Sequence, residues 1–148
     1  MNHPVFYLET GSQNPYYNLA FEEFVLTHRV EGDYLILWQN DNTIVIGQNQ
    51  NAEEEINRSF VEAHQIHVVR RSTGGGAVYH DLGNLNYSFI TDAGEDKLTF
   101  KRFTGPIVEA LKGLGLDAEA SGRNDILVNG RKVSGTAQRL LGRRILHH

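Results

Sequence analysis

A glycine-rich segment near the middle of the chain has the residue types of an anion-binding loop. Three consecutive glycines, Gly74 to Gly76, follow Arg70 and Arg71 at the end of a β-rich run. Glycines tolerate positive φ, and successive backbone N–H groups in such a loop form a concavity that binds anions. The arginines add charge-assisted donors suited to a phosphate or a carboxylate. The pattern favours an anion or nucleotide loop over a wide β-connection with surface arginines.

A second polar segment lies closer to the C-terminus. Asn124 and Asp125 precede a β-rich run, and one carboxylate is enough for a hydrated Mg²⁺ that also binds substrate phosphates. For Asp125 taken alone, an Asx turn before a strand is the better explanation. Lys132 follows Asn129-Gly130, a strong hairpin signal. A lysine there is commonly a solvated charge, and it gains interest because a phosphate-type loop and a candidate metal ligand occur in the same chain.

The charges are unevenly distributed. The 148 residues carry 14 Lys and Arg against 18 Asp and Glu, a net charge of −4, which argues against general nucleic-acid binding. From Ser121 onward Asp125 is the only acid, so that segment carries +5 and the first 120 residues −9. This basic C-terminal segment is either a solvated edge of the protein or a site for an anion or an acidic partner. Its basic residues are Arg123, Arg131, Lys132, Arg139, Arg143 and Arg144.

Composition narrows the possible classes of protein. The chain has no cysteine, which excludes disulfides, thiolate metal sites and a cysteine nucleophile. Hydrophobic residues make up 40% and charged residues 22%, as expected for one folded domain over residues 1–148. No apolar run approaches the roughly 18 residues of a membrane span, and the N-terminus lacks a signal-peptide pattern. We therefore expect a cytoplasmic protein without a membrane or nucleic-acid partner.

Helices and hairpins must position these residues. Helices are predicted from Asn14-Pro15 to about His28, over Ala52 to His64 and over Thr99 to Leu114. On the first helix, Leu19, Phe24 and Leu26 are expected on the apolar side, and Glu22 and Glu23 are expected to face water. Predicted strands are Val5 to Leu8, Tyr34 to Gln39, Thr43 to Ile46, Val68 to Arg71, Ala77 to His80, Leu85 to Ile90, Ile126 to Val128, Lys132 to Ala137 and Arg143 to Leu146.

The arrangement of these elements predicts the fold class. Hairpins are expected at 40–42 and 129–130, and the strands at 68–71, 77–80 and 85–90 are expected to form one group. The pattern predicts an α+β fold with a mixed, largely antiparallel sheet flanked by helices. Trp38, the only tryptophan, is more readily explained by core packing than by a pocket wall.

Together the two polar segments resemble the lipoate–protein ligase A family. The matching stretches are 70–84, 120–125 and 131–137, with weaker support from 18–20, 22–23, 37–40 and 45–47. The resemblance covers nearly the whole chain and implies the biotin/lipoyl-ligase-like catalytic fold. Octanoyl transferases of this fold use a cysteine nucleophile, which is absent here, and biotin ligases carry a differently spaced glycine loop. Both are therefore poorer matches.

The resemblance implies a two-step reaction. Lipoate and Mg·ATP give lipoyl-AMP and pyrophosphate, and a lysine of a lipoyl domain then attacks the mixed anhydride. The implied acceptors are lipoyl domains of 2-oxoacid dehydrogenase complexes or the glycine cleavage H protein. Carried over by position, Lys132 is the catalytic residue and Asp125 the metal ligand. The implied lipoate and nucleotide pocket consists of Trp38, Arg71, Ser72, Thr73, Gly74, Gly75, Gly76, Ala77, Val78, Tyr79, Asn84, Asn124, Lys132, Arg139 and His148.

The C-terminus departs from the family pattern. The family's large domain continues beyond the equivalent of His148, and its two-domain members add a small C-terminal domain, so a separate accessory domain is a possible partner. His147-His148 matches the start of a family motif, which favours a truncated native sequence over a purification tag, and the last strand is expected to be unpaired. Two alternatives stay open: a non-catalytic lipoate- or nucleotide-binding module, and an acyltransferase relative, which the absence of cysteine disfavours.

Overall fold

The computed structural model describes residues 4–94, 100–122 and 124–148. Four helices lie in this part of the chain: α1 (Pro15–His28), α2 (Ala52–Glu55), α3 (Arg58–Ala63) and α4 (Phe100–Gly113). Its strands are β1 (Val5–Glu9), β2 (Asp33–Trp38), β3 (Thr43–Ile46), β4 (His67–Arg70), β5 (Val78–His80), β6 (Asn86–Asp92), β7 (Ala118–Ser121), β8 (Asp125–Val128), β9 (Arg131–Gly135), β10 (Gln138–Leu141) and β11 (Arg144–His147).

The strands form three sheets. A five-stranded sheet has the order β1-β2-β6-β11-β10, and two three-stranded sheets have the orders β4-β3-β5 and β7-β8-β9. Only the β1–β2 and β3–β4 pairs are parallel. The α+β class and the largely antiparallel pairing are confirmed, although the strands are divided among three sheets instead of one.

The predicted hairpin at 40–42 is wrong, because β2 and β3 belong to different sheets. The connection between them is anchored inside the protein. Asn40 is fully buried, and its side chain contacts those of Asn18 and His80 at 2.9 and 3.2 Å. The segment 40–42 is therefore a crossover between two sheets, with Asn40 buried and Asp41 exposed. The strand predicted at 85–90 is found as β6. It belongs to the five-stranded sheet, so the expectation that it groups with the strands at 68–71 and 77–80 is wrong.

Side-chain caps decide where the helices begin. The Asn14 carboxamide accepts hydrogen bonds from the backbone N–H groups of Tyr16 and Tyr17, as predicted for the start of α1. The helix predicted over 52–64 is divided into α2 and α3, because Ile56 is extended and Asn57 caps a second helix through the N–H of Phe60. The predicted helix start at Thr99 lies outside the described residues, and α4 is described from Phe100 onward.

The face of α1 that packs on the five-stranded sheet contains polar residues. Leu26 is buried as expected, whereas Phe24 is 50% exposed and Glu22 is 2% exposed. The expectation that Glu22 faces water is wrong, because residues 18, 22 and 25 follow one another at about one helical turn and share a face. The core between α1 and the five-stranded sheet consists of six buried side chains: Val25, Leu26, Ile36, Trp38, Ile90 and Leu146.

The last strand is not unpaired, contrary to expectation. β11 lies between β6 and β10 in the five-stranded sheet, and all four of its residues are buried. Sequence analysis missed β10, the strand that follows β9. His147 is fully buried, and its ring stacks on Phe103 at 4.8 Å between centroids.

In the described part of the chain, no helix has both the length and the apolarity needed to cross a membrane.

Two buried histidines are expected to make folding stability depend on pH. Burial, together with the nearby His148, lowers the pKa of His147 to about 3. Burial, His148 and Arg71 lower the pKa of His80 to about 4, against the opposing effect of Asp81. The unfolded chain takes up these protons below about pH 6.5, whereas the folded chain resists them until about pH 3–4. The free energy of unfolding should therefore fall as the pH drops from 7 to 4, by about 1.4 kcal/mol per unit of lowered pKa.

Urea unfolding at several pH values measures this effect, with His147→Phe as the informative variant. Because phenylalanine cannot be protonated, the variant should lose less stability than the wild type between pH 7 and 4. His64→Phe, at an exposed position, is the control and should keep the wild-type pH dependence. Parallel curves for the wild type and His147→Phe would contradict the prediction.

Candidate active site

The guanidinium of Arg71 holds the glycine loop (residues 72–77) from inside. Arg71 is 8% exposed, and its Nη2 donates to the carbonyl oxygens of Gly74 and Gly76 at 2.9 and 2.7 Å. Its Nη1 donates to the Val45 carbonyl at 3.1 Å, and its Nε donates to Thr73 Oγ1 at 3.1 Å. Arg71 therefore shapes the loop, and its role as a donor to the ligand stays a prediction.

The N–H groups of the loop remain available for a ligand. Those of Gly74, Gly75 and Gly76 donate to no acceptor among the described residues. Gly75 has φ +99°, a region that favours glycine, and a Cβ at this position would lie 2.9 Å from Arg71 Nη2. Three successive unpaired N–H groups above a buried cation are suited to an anion.

Electrostatics at the loop also favour an anion. Burial lowers the pKa of Arg71, but a guanidinium stays protonated near neutral pH. Arg71 forms no ion pair within the described ranges, and its hydrogen-bond partners are neutral. Its charge is therefore offset only by carbonyl and hydroxyl dipoles, and a negatively charged ligand would add a favourable interaction.

Arg70 organises the neighbouring turn. Its Nη1 donates to the carbonyl oxygens of Gly47 and Gln50 at 2.8 and 2.7 Å, and the Gln50 side chain accepts from the Gly47 N–H at 2.7 Å. Gly47 itself lies directly against the loop, since a Cβ there would be 2.1 Å from the Gly75 carbonyl oxygen. Both arginines of the motif are thus used to position backbone.

His148 joins the end of the five-stranded sheet to the glycine loop. Its backbone exchanges hydrogen bonds with Ala137 at 2.7 and 3.0 Å, which continues the β10–β11 pairing, and its Nε2 lies 2.7 Å from Thr73 Oγ1. Asn124 Nδ2 donates to the carbonyl of Thr136, the residue before Ala137, at 3.0 Å. His148 thus links the glycine loop to the segment between β9 and β10, which in turn contacts Asn124.

Lys132 lies on β9 and pairs with Asp125 at the start of β8. Lys132 Nζ is 2.9 Å from Asp125 Oδ1, a distance typical of an ion pair, although the contact is not aligned as a hydrogen bond. The Lys132 side chain is 57% exposed, so it is free to move toward a ligand. It passes over Gly135, where a Cβ would lie 3.1 Å from Lys132 Cε.

The residues present fit a magnesium ion that is bound mainly by substrate phosphates. No cluster of three or more His, Cys, Asp or Glu side chains able to hold a metal occurs among the residues with described positions. Asp125 offers one carboxylate, and Mg²⁺ commonly uses one or two carboxylates together with phosphates and water. Asp125 therefore stays a predicted metal ligand, with Lys132 as its partner when no metal is bound.

Trp38 packs in the core, and Arg139 pairs with helix α1. Trp38 is 5% exposed in the core, where its Nε1–H donates to Ser88 Oγ at 2.9 Å, so the core-packing interpretation is correct. Arg139 forms a two-point ion pair with Glu23 on α1, at 2.7 and 2.9 Å.

The remaining predicted site residues lie in or beside the glycine loop. Ser72 and Ala77 are half-buried, and Val78 is exposed at the start of β5. The Tyr79 hydroxyl donates to the Asn42 side chain at 3.0 Å. The Asn84 side chain donates to that of Asn86 at 3.0 Å.

The basic C-terminal segment is largely paired with acidic residues. Arg143 and Arg144 both lie within 4 Å of Asp92, at 3.8 and 3.3 Å. Together with the pairs of Lys132 and Arg139, this leaves Arg131 as an exposed residue of the segment, while Arg123 lies outside the described residues. The anion-binding character of the site thus comes mainly from the glycine loop.

Sequence analysis missed two buried polar residues beside the site. The Glu22 carboxylate accepts hydrogen bonds from His148 Nδ1, at 2.9 and 3.1 Å, and from the Ser88 hydroxyl. His80 is 8% exposed and bonds Asn40 instead of Asp81, whose side chain caps its own turn. The helical spacing of Glu22 with Val25 was the signal for a buried position.

A surface cavity of about 660 Å³ lies beside β1 and β2 and meets the predicted site only at Trp38. Neither the glycine loop nor Lys132 lines this cavity, so the candidate anion site lies outside it. The cavity is lined by Tyr7, Glu9, Thr10, Gly11, Ser12, Gln13, Leu37, Trp38, Gln39 and Leu85.

Comparisons with known proteins identify a matching family. Residues 14–148 match the family model described as the lipoyl protein ligase A/B catalytic domain. The lipoate-protein ligase LplJ of Bacillus subtilis is 55% identical over 137 residues, which cover 91% of this chain and 41% of the relative. The chain therefore spans less than half the length of this curated relative.

Solved structures with similar sequences share the fold. A bi-partite lipoate protein ligase from Thermoplasma acidophilum, studied with its E2 lipoyl domain, superposes with a TM-score of 0.88 at 32% identity, covering 99% of this chain and 60% of that one. A lipoate-protein ligase A bound with ATP gives a TM-score of 0.86 at 31% identity, covering 99% of this chain and 65% of that one.

The contact between Gly47 and Gly75 predicts a destabilising substitution. Gly47→Ala would place a methyl group against a backbone carbonyl that Arg71 holds in position, so we expect a loss of about 1–3 kcal/mol in the free energy of unfolding. Gly76→Ala is the matched control, because a Cβ there meets no atom within 4 Å. Urea unfolding compares the two variants, and equal stabilities would show that the loop is not packed as described.

Proposed function

The chain belongs to the lipoyl protein ligase A/B catalytic domain family, and we propose that it carries the activation site of a lipoate–protein ligase. In this proposal it joins lipoate to ATP, giving lipoyl-AMP and pyrophosphate, and passes the lipoyl group to a lysine of a lipoyl domain. The names of the relatives and the ATP-bound structural neighbour support the choice of substrates. The observation that carries the proposal is the loop held by the buried Arg71, in which the N–H groups of three successive glycines have no acceptor among the described residues.

The first step brings two anions together. A carboxylate oxygen of lipoate attacks the α-phosphorus of ATP, and the bond from that phosphorus to the pyrophosphate oxygen breaks. The N–H groups of Gly74 to Gly76 bind phosphate oxygens without having to reorganise. Lys132 leaves Asp125 and contacts both the attacking carboxylate and the α-phosphate. Mg²⁺, when bound, offsets the charge of the phosphates, with Asp125 as its protein ligand.

The second step transfers the acyl group. The neutral amine of the acceptor lysine attacks the carbonyl carbon of lipoyl-AMP, the bond to the phosphate oxygen breaks, and AMP leaves as the amine gives up a proton. The proposed acceptors are lipoyl domains of 2-oxoacid dehydrogenase complexes or the glycine cleavage H protein. The neighbour studied with its E2 lipoyl domain supports this class of partner.

The complete reaction is proposed to need more than these 148 residues. Because the chain covers 41% of its Bacillus subtilis relative, we propose that a C-terminal segment or a separate accessory domain completes the enzyme. The use of ATP favours a cytoplasmic location. A second candidate function, binding of lipoate or nucleotide without catalysis, is supported by the same difference in length.

Exchange of labelled pyrophosphate into ATP tests the proposal, because it reports the first step without an acceptor. We expect lipoate-dependent exchange by the chain and a loss of about 10²-fold or more in Lys132→Ala, since a positive charge is removed from the reacting groups. Lys112→Ala is the matched control, because Lys112 lies on α4 and pairs with the exposed Glu109.

The outcomes separate the two candidate functions. Full exchange activity in Lys132→Ala would contradict the catalytic role of Lys132. Binding of lipoate and ATP by the wild-type chain without any exchange would favour the non-catalytic module. Exchange that is lost in Lys132→Ala alone would support the ligase.

A further inference from the structure

A line of buried hydrogen bonds runs from α1 to the glycine loop. Glu22 is 2% exposed, and both of its carboxylate oxygens lie near His148 Nδ1, at 2.9 and 3.1 Å. On the other side of the His148 ring, Nε2 lies 2.7 Å from Thr73 Oγ1. Thr73 is 1% exposed and directly precedes the three glycines. These contacts connect a helix residue with the start of the loop, although the two are far apart in sequence.

The hydrogen bond from Arg71 to Thr73 determines which atoms in this line carry protons. Arg71 Nε–H donates to Thr73 Oγ1 at 3.1 Å, so the Thr73 hydroxyl has its own proton free to donate to His148 Nε2. The His148 ring then carries a proton on Nδ1, which donates to the Glu22 carboxylate. Every donor in the line meets an acceptor only in this arrangement, so the geometry assigns the Nδ1–H tautomer.

Burial of the Glu22 carboxylate destabilises the fold unless its hydrogen bonds offset the loss of hydration. A buried carboxylate is costly to desolvate, and an apolar side chain of similar volume is often as stable or more stable. Besides His148, Glu22 is bonded by the Ser88 hydroxyl, which accepts from Trp38 Nε1 at 2.9 Å. Ser88 is fully buried, and His148 is partly buried beside the core. The network therefore ties the start of the glycine loop to a rigid part of the protein.

We propose that Glu22 is a positioning residue for the glycine loop: acting through His148, it orients the Thr73 hydroxyl so that Thr73 and Arg71 together set the direction of the loop N–H groups. This inference rests on the proposed function in one respect, namely that those N–H groups bind the phosphates of ATP. Glu22 itself does not touch the reacting atoms in this proposal. Its effect reaches the ligand only through Thr73.

The tautomer of His148 can be measured without any ligand. Long-range ¹H–¹⁵N NMR spectra of the labelled chain distinguish the two neutral tautomers, and His148→Gln identifies the His148 signals by their disappearance. We expect the Nδ1–H form in the wild type at neutral pH. The Nε2–H form would overturn the proposal, because Thr73 would then receive two donors and its own proton would lose His148 as an acceptor.

Affinity for ATP, measured by titration calorimetry with Mg²⁺ present, tests the consequence for the site. Thr73→Val removes the hydroxyl at nearly constant volume and should weaken ATP binding by about 10-fold or more, whereas Thr73→Ser keeps the hydroxyl and should bind within about threefold of the wild type. Thr27→Val, at an exposed position on α1, is the control for the substitution itself. Equal affinities for Thr73→Val and Thr73→Ser, both folded by near-ultraviolet circular dichroism, would overturn the proposal.

A second pair of variants addresses Glu22 directly. Glu22→Gln retains an acceptor for His148 Nδ1–H and should keep most of the affinity, whereas Glu22→Leu removes it and should lose as much as Thr73→Val. Glu109→Leu, on the exposed side of α4, is the control. If Glu22→Leu does not fold, the Thr73 pair decides the question.

ATP binding tests the proposed function, and the amide NMR signals of the loop test the positioning role separately. If the wild-type chain does not bind ATP, the amide NMR signals of Gly74 to Gly76 still report the position of the loop. They should move in Thr73→Val and stay near their wild-type positions in Thr73→Ser. Signals that are unchanged in both variants would overturn the positioning role, whatever the chain binds.

Discussion

Arg71 carries a positive charge into the protein interior, where its partners are backbone carbonyls and one hydroxyl. A guanidinium has five donors in a fixed plane, so it can hold several carbonyl oxygens at set directions at once. Two of those oxygens belong to Gly74 and Gly76. With the carbonyls turned toward Arg71, the N–H groups of the glycines have no acceptor among the described residues. The same contact thus shapes the loop and supplies the charge that favours an anion there.

Several distant elements depend on this arrangement. β3 contributes the Val45 carbonyl and is followed by Gly47, whose lack of a side chain lets the loop approach. α1 and the C-terminal end of β11 reach the loop through Glu22 and His148. His148 also bonds the backbone of Ala137, just beyond the strand that carries Lys132. His148 thus connects the loop with the segment next to the strand of Lys132, and in the proposed reaction Lys132 moves toward the phosphates.

Local patterns predicted the local features well. The Asn14 cap, the Asn129-Gly130 hairpin and the glycine loop follow from short-range backbone preferences that need no knowledge of the rest of the fold. The division of the strands among three sheets does not follow in this way, because alternation of apolar residues gives the faces of a strand and not its neighbours. β10 was missed since its exposed leucines and polar residues show no clear alternation. Glu22 was expected to face water because charged side chains usually do, and only its partners Ser88 and His148 show that it does not. The backbone partners of Arg71 are likewise set by the tertiary fold and have no signal in the sequence.

Because Arg71 holds the carbonyls of Gly74 and Gly76, the loop presents its N–H groups to a phosphate. Titration of the ¹⁵N-labelled chain with Mg·ATP, followed by amide NMR spectra, tests this most directly. We predict that the amide signals of Gly74, Gly75 and Gly76 show the largest changes and saturate together as the nucleotide binds. Saturable binding that leaves these three amide signals unmoved would contradict the claim.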